Sequence, residues 1–360
     1  MNQLERFRAT VGRRPHSGFL FHAGFTEDLD RRLREDCGLG PQDDLAEHFG
    51  MFQPRNVGLR PPAELPKHDF SHYYEDMEIP KGGWIDDRGV LNIPAGYYHF
   101  SRMVGPLRNA RRFEDIEAFP YPTLEGYTAD HMTGEVEAAH AEGKVAGGWA
   151  GHMFEEAWQI RGLEEFLTDM VAQPEWAEHI LDKLTERNVA AARAAARAGV
   201  DYLTSGDDVA TQSALMFSPD LWRRFIKARW AKVYGAAREI KPDVDIWYHS
   251  DGNVAAIIPE LIEIGVTILN PVQPECLDPI EVQRRYGDRL VLDGTIGTQT
   301  TMPFGAPEDV RRAVRRMAET VGRDGALILA PTHVLEPEVP LENIHAFVEA
   351  VHSLDGGPAS

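Results

Sequence analysis

The sequence predicts an α/β fold, a (β/α)8 TIM barrel built as a single domain over residues 1–360. Three observations carry that expectation. A short apolar run ending in Gly, Asp, His or Asn recurs along the chain, each time followed by an amphipathic helical stretch. The runs are rich in Val, Ile and Leu, as strands of a parallel sheet covered on both faces are. No glycine-rich phosphate loop follows an early strand, and the doubly wound alternative requires one.

The elements follow in order. Gly18–Gly24 reads as the first strand and Glu27–Asp36 as a helix. The rest of the first 140 residues is irregular. Pro61–Lys81, rich in Pro, His and acidic residues, reads as an insertion, and Trp84–Ile93 as a hairpin turning at Asp87, Arg88 and Gly89. Residues 61–100 are therefore an expected insertion and hairpin region. Val145–Gly151 is a strand, with helix signals from Phe154 to Met170. Asp201–Asp208 is the next strand. Ser218, Pro219 and Asp220 then read as N-cap, N1 and N2 of a helix, since Pro is tolerated where no backbone donor is needed. Asp245–His249 is a strand, and Val254–Ile264 a helix closed by Gly265. Thr267–Val272 and Leu290–Ile296 are strands on either side of a helix at Pro279–Tyr286. Pro307 opens a helix with Val310, Val314, Met317 and Val321 on one face, before a last strand at Ala326–Ala330 and a last helix at Leu341–Val351.

Composition excludes some partners. Lys and Arg number 37 against 57 Asp and Glu, a net charge of −20, which repels phosphate backbones and anionic lipid. No nucleic-acid or membrane role is expected, and no apolar run approaches the roughly 18 residues that span a bilayer. Two distant cysteines, Cys37 and Cys276, and a start without signal-peptide character point to a reducing cytoplasm.

Catalytic groups of a parallel barrel come from the C-terminal ends of its strands. Here those ends carry His152 with Glu155 and Glu156 beyond, Asp207 and Asp208, His249 and Asp251, Asn270 and Gln273, Asp293 and Gln299, and Thr332 and His333 followed by Glu336. Six consecutive strand ends bearing carboxylate, imidazole or amide describe a polar pocket for a small-molecule substrate. His152, Glu155, Asn270, Gln273 and Gln299 are its candidate substrate-binding residues. His249 and Asp251 are two residues apart, so in extended backbone their side chains lean to one side. With His333 they have the composition of a three-ligand divalent metal site with an open position, suited to zinc or to ferrous iron. Alternatively Asp251 caps the following helix, while His249 and His333 act as hydrogen-bond donors or general acids. Asp207 and Asp208 cannot face the same way in a strand. One points into the pocket as an acid or base and the other caps or binds backbone, so both stand with His333 as catalytic candidates.

Several stretches together resemble the uroporphyrinogen decarboxylase superfamily: Gly206-Asp207-Asp208 with Ser218 to Trp222, His249 to Asn253, Ile268 to Pro274, Asp293 to Gln299, and Pro340 to Ile344. The resemblance runs from Ala141 to the end and is looser before it. It implies a (β/α)8 barrel, a fold that often forms homodimers. One branch, the porphyrinogen decarboxylases, carries an N-terminal arginine pair that holds substrate carboxylates. The matching segment here, Pro15 to Gly24, has no arginine, so the chain is not expected to be a true uroporphyrinogen decarboxylase. The other branch moves methyl groups between corrinoid proteins and thiols or tetrahydrofolate, and its thiol-using members bind zinc through His-x-Cys and a later Cys. His249 matches that His, while Asp251 and His333 stand where the two cysteines would be.

The resemblance thus implies metal-dependent group transfer, methyl transfer involving a corrinoid or folate carrier, with a corrinoid protein as partner. Metal-free decarboxylation or lysis of a small or cyclic acid, with Asp207 donating the proton and His333 assisting, is the alternative. A non-catalytic ligand-binding barrel is the third.

Overall fold

A computed structural model describes residues 1–14, 16–64, 68–95 and 100–354. Pro15 of the arginine-free segment and positions 65–67 and 96–99 of the expected insertion lie outside the described residues, as do 355–360.

The architecture is an eight-stranded, wholly parallel sheet with helices on its outer face. Its strands are β1 (Leu20–Phe21), β2 (Arg55–Asn56), β6 (Ala146–His152), β7 (Tyr202–Gly206), β8 (Asp245–His249), β9 (Ile268–Asn270), β10 (Val291–Asp293) and β11 (Leu327–Leu329), in the order β1-β11-β10-β9-β8-β7-β6-β2. A separate antiparallel sheet contains β3 (Trp84–Ile85), β4 (Leu91–Pro94) and β5 (Ser101–Val104). The expected hairpin is therefore present but is extended by a third strand. Its turn is set by Asp86, whose Oδ1 accepts the backbone N–H groups of Arg88 and Val90. The edge strands β1 and β2 share no ladder, but the Phe52 N–H just before β2 donates to the Phe21 carbonyl at 2.7 Å.

Alternation along the strands separates two apolar cores. Phe21, Leu203, Ile246, Leu269, Leu292 and Leu329 join the large cluster shared with the helices. Their neighbours Leu20, Tyr202, Trp247, Ile268, Val291 and Ile328 form a second cluster on the concave face. Leu4 and Phe7 of the N-terminal helix Gln3–Val11 complete it. Phe52 lies between Phe7 and Trp247, stacked on both at centroid separations of 6.1 and 6.3 Å.

The outer helices follow the expected pattern with local differences. The stretch after β6 breaks at Gly162, with φ of 102°, into Phe154–Arg161 and Leu163–Ala172. The Ser218 hydroxyl caps its helix by accepting the Leu221 N–H at 3.3 Å, and that helix passes through a π turn at Arg223–Lys227. The helix expected from Val254 is shorter, Ile258–Glu263, because the loop after β8 runs on through residue 257. A 25-residue helix, Pro174–Ala198, packs against β6 and the helix Ala228–Arg238. Among the described residues no helix is long and apolar enough to cross a membrane.

Candidate active site at the sheet's C-terminal edge

Because side chains alternate, the residue two beyond each inner apolar residue also faces the concave side. Two past Leu20 is His22, two past Trp247 is His249, two past Ile268 is Asn270, and two past Val291 is Asp293. The sheet thus gathers these four groups without help from the loops.

They form one hydrogen-bonded chain. Asp293 has no exposed surface; its Oδ1 lies 2.9 Å from His22 Nε2, and its Oδ2 accepts from Trp247 Nε1 at 3.1 Å and Asn270 Nδ2 at 2.5 Å. With its amide nitrogen committed, Asn270 turns Oδ1 toward His249 Nδ1 at 2.6 Å. The carbonyl oxygen can only accept, so His249 carries its proton on Nδ1 and presents Nε2 as a lone pair. That Nε2 faces Asp208 Oδ1 at 3.7 Å. Asp208 Oδ1 also accepts the Asp251 N–H at 2.8 Å, tying the loops after β7 and β8 together.

Ligand atoms of Asp208, His249 and Asp251 all lie within 4.8 Å of one another. Asp251 Oδ1 is buried and makes no hydrogen bond among the described residues, while Oδ2 lies 4.0 Å from His333 Nε2. Burial, with Asp208 and Glu155 nearby, pushes the Asp251 carboxyl above the ordinary carboxylate range, although His249 and His333 pull it down. An oxygen without a partner, a second carboxylate and an imidazole lone pair aimed at both suit a divalent cation. The residues present fit a metal ion.

Each expected site residue has a definite position. Of the expected ligand set, His249 and Asp251 fall within one ion's reach, with Asp208, the pocket-facing member of its pair, as the third group; His333 lies beyond that group, 4.0 Å from Asp251 Oδ2. Asp207 lies out of phase and points into the helix layer. Wholly buried, it accepts from Met153 N–H at 2.7 Å, Glu155 N–H at 3.1 Å and Trp230 Nε1 at 2.9 Å. Burial pushes its carboxyl up to about 7. His152, Glu155 and Asp207 also come within ligand range of one another, but both Asp207 oxygens are already acceptors. His152 Nδ1 lies 2.5 Å from Glu155 Oε2; burial opposes its charge, but Glu155, Asp207 and Glu156 outweigh it and raise the imidazole to about 9. Gln273 is buried, its Oε1 accepting the Gly252 N–H at 2.7 Å, so it holds the loop after β8. Gln299 is exposed on the rim, where its Oε1 accepts from Gln212 Nε2 at 2.9 Å.

Two clefts open beside these groups. One of about 510 Å³ is lined by His22, Thr26, His249, Asn270, Thr332 and His333. The other, about 760 Å³, lies between β2 and β6 and includes Arg60, His131, Trp149 and Thr204. Sequence reasoning missed His22 and put Asp293 at the pocket without seeing its part in holding His249 through Asn270. Stepping two residues past each inner apolar position finds His22.

Comparison with known proteins adds to this geometry. Over 194 residues the chain is 30% identical to the methylcobamide:CoM methyltransferase MtaA of Methanosarcina barkeri, covering 54% of this chain and 54% of the relative. The chain thus matches about half the length of that protein. Over 287 residues it is 24% identical to the uroporphyrinogen decarboxylase of Coxiella burnetii, covering 73% of this chain and 75% of the other. A solved methyltransferase from Methanosarcina mazei superposes over 98% of this chain and 99% of its own, with a TM-score of 0.65 at 19% identity, a likeness of fold. Residues 106–354 match the family described as Uroporphyrinogen decarboxylase (URO-D), and the chain belongs to that family.

Proposed function

We propose that the chain is one domain whose sheet closes as a (β/α)8 barrel, and that it is a cytoplasmic, metal-dependent methyltransferase working with a corrinoid carrier. Closure is supported by the Phe52–Phe21 hydrogen bond and by Phe52 stacking between Phe7 and Trp247. The carrier reading draws on the relative named for methylcobamide, which favours a corrinoid over a folate. One observation carries the metal reading: Asp251 Oδ1 is buried without a partner beside Asp208 and His249 Nε2.

Asp208, His249 and Asp251 would hold the ion, zinc or a similar divalent metal, with His333 within reach as a further ligand or base. When bound, the ion supplies Lewis acidity that lowers the pKa of an acceptor atom. The chain's own residues do the rest. The Asp293–Asn270 relay holds His249 in one tautomer and orientation. His152, protonated up to about pH 9, offers a donor to an anionic or carbonyl end of the substrate. His333, part-exposed, can take the proton that the acceptor loses and pass it to water. A carboxylate, Asp251, and an imidazole, His333, where the resemblance places cysteines in thiol-using relatives, with Asp208 beside them, give a harder ligand set.

Metal-free decarboxylation has less support, because Asp207, its proposed proton donor, is enclosed and engaged on both oxygens. The test is metal content of untagged protein by mass spectrometry, together with methyl transfer from methylcobalamin to an added thiol, which forms a thioether and releases cob(I)alamin and a proton, followed by the visible spectrum of the corrinoid. We expect metal bound in stoichiometric amount and chelator-sensitive methyl transfer; Asp251→Ala should lose the activity and one equivalent of the metal, with folding retained. Activity that survives complete metal removal would overturn the reading.

A further inference from the structure

Outside the site described above, Asp36 and Cys37 end the helix Glu27–Cys37, and His345 lies in the second turn of the last helix, Leu341–Ser353. A carboxylate oxygen, the thiol sulfur and an imidazole nitrogen from these residues all lie within 4.8 Å of one another. His345 Nε2 is 2.7 Å from Asp36 Oδ2, and the edge of the ring packs against Phe49 at a centroid distance of 5.9 Å, which fixes its plane.

An Asp–His hydrogen bond alone would account for two of these groups but not for the thiol. Burial and the neighbouring Asp36 both raise the Cys37 thiol above its ordinary value, the reverse of what activates a nucleophile. Cys37 also sits in the last turn of its helix, where free carbonyls make the surroundings negative and favour a cation. The thiol, imidazole and carboxylate within one ion's reach, in that negative field, fit a bound cation. Sulfur with imidazole and carboxylate selects a borderline ion of the zinc class and discriminates against magnesium and calcium.

We propose that Asp36, Cys37 and His345 form a second metal site that binds a zinc-class divalent ion, with water completing its shell. The ion clips the first helix after β1 to the last helix of the chain, joining residues 309 positions apart. It has no role in the chemistry of the mouth.

Cobalt(II) titration of metal-free, full-length protein tests this, because only a thiolate ligand gives an intense near-ultraviolet sulfur-to-cobalt charge-transfer band. The mouth set of Asp208, His249 and Asp251 has no sulfur, so the band reports this site alone. Cys276 is the other cysteine, and Cys276→Ser is the control. We expect the band in wild type and in Cys276→Ser, and its loss in Cys37→Ser. His345→Ala should weaken binding at least as much as the roughly 10–100-fold typical of losing a group behind a ligand. Zinc should slow alkylation of Cys37 in Cys276→Ser, and Asp251→Ala should leave that protection intact. No band at saturating cobalt, or a band that persists in Cys37→Ser, would overturn the proposal.

Discussion

Asp207 and Asp208 are chemically identical neighbours with opposite surroundings, and strand phase decides which is which. Counting from the inner residue Tyr202, Asp208 falls in step with the concave face and Asp207 with the helices. Asp207→Ala would strand two backbone N–H groups and the Trp230 indole in the interior, at about 1–3 kcal/mol for each unsatisfied donor. Chemical denaturation should register a loss of about 3 kcal/mol or more. Asp208→Asn keeps the shape of a group at the pocket, and stability should stay within about 0.5 kcal/mol while metal occupancy falls. The reverse pattern would mean that the two roles are exchanged. Much of the mouth was legible in the sequence for the same reason: His249, Asn270 and Asp251 follow apolar strands at even spacing. His152 is different, because a register shift between Trp149 and His152, with Gly151 at φ 92°, breaks the count.

At the scale of elements, the later strands and their helices could be read because each carries a full apolar run with caps. β2 could not. Arg55–Asn56 is two residues long and polar, and the neighbouring chain, through the Arg55 N–H to Val145 carbonyl bond, gives it its place. The loop after β8 is the element on which the proposed metal site most depends. Gly252 there has φ of 83°, and an added Cβ would meet the carbonyl oxygens of Thr211 at 2.5 Å and Ala210 at 2.9 Å. Left-handed backbone for another residue costs about 1–3 kcal/mol, and the clash adds to it. Gly252→Ala should lower the melting temperature and displace Asp251, reducing metal occupancy. Gly235→Ala is the matched control: it lies within the helix Ala228–Arg238 with open space around its Cβ, so a gain of up to about 1 kcal/mol is expected. Equal effects of the two substitutions would show that the loop's geometry is not what positions Asp251.

On the scale of the whole molecule, the mouth is stocked for a cation rather than for a polyanion. β1 presents Leu20 and Phe21 and ends in His22, which is already bonded to Asp293, where the decarboxylase branch would offer arginines. Several carboxylates on a tetrapyrrole would find few charge-assisted partners there. Incubation with uroporphyrinogen should yield no coproporphyrinogen at an enzymatic rate of about 1 per second. The opposite end of the molecule matters as much. Leu4 and Phe7 of the first helix, with Phe52, Tyr202 and Trp247, fill the concave side beneath the polar groups. If the sheet closes as proposed, that packing leaves the polar end as the way in, and a single way in imposes a queue. On the proposed reading, the small reactant would enter before a methyl-carrying protein covers that entrance, and the product would wait until that protein departs. Turnover would then be timed by undocking, so the first cycle in a rapid-mixing trace should outrun those that follow.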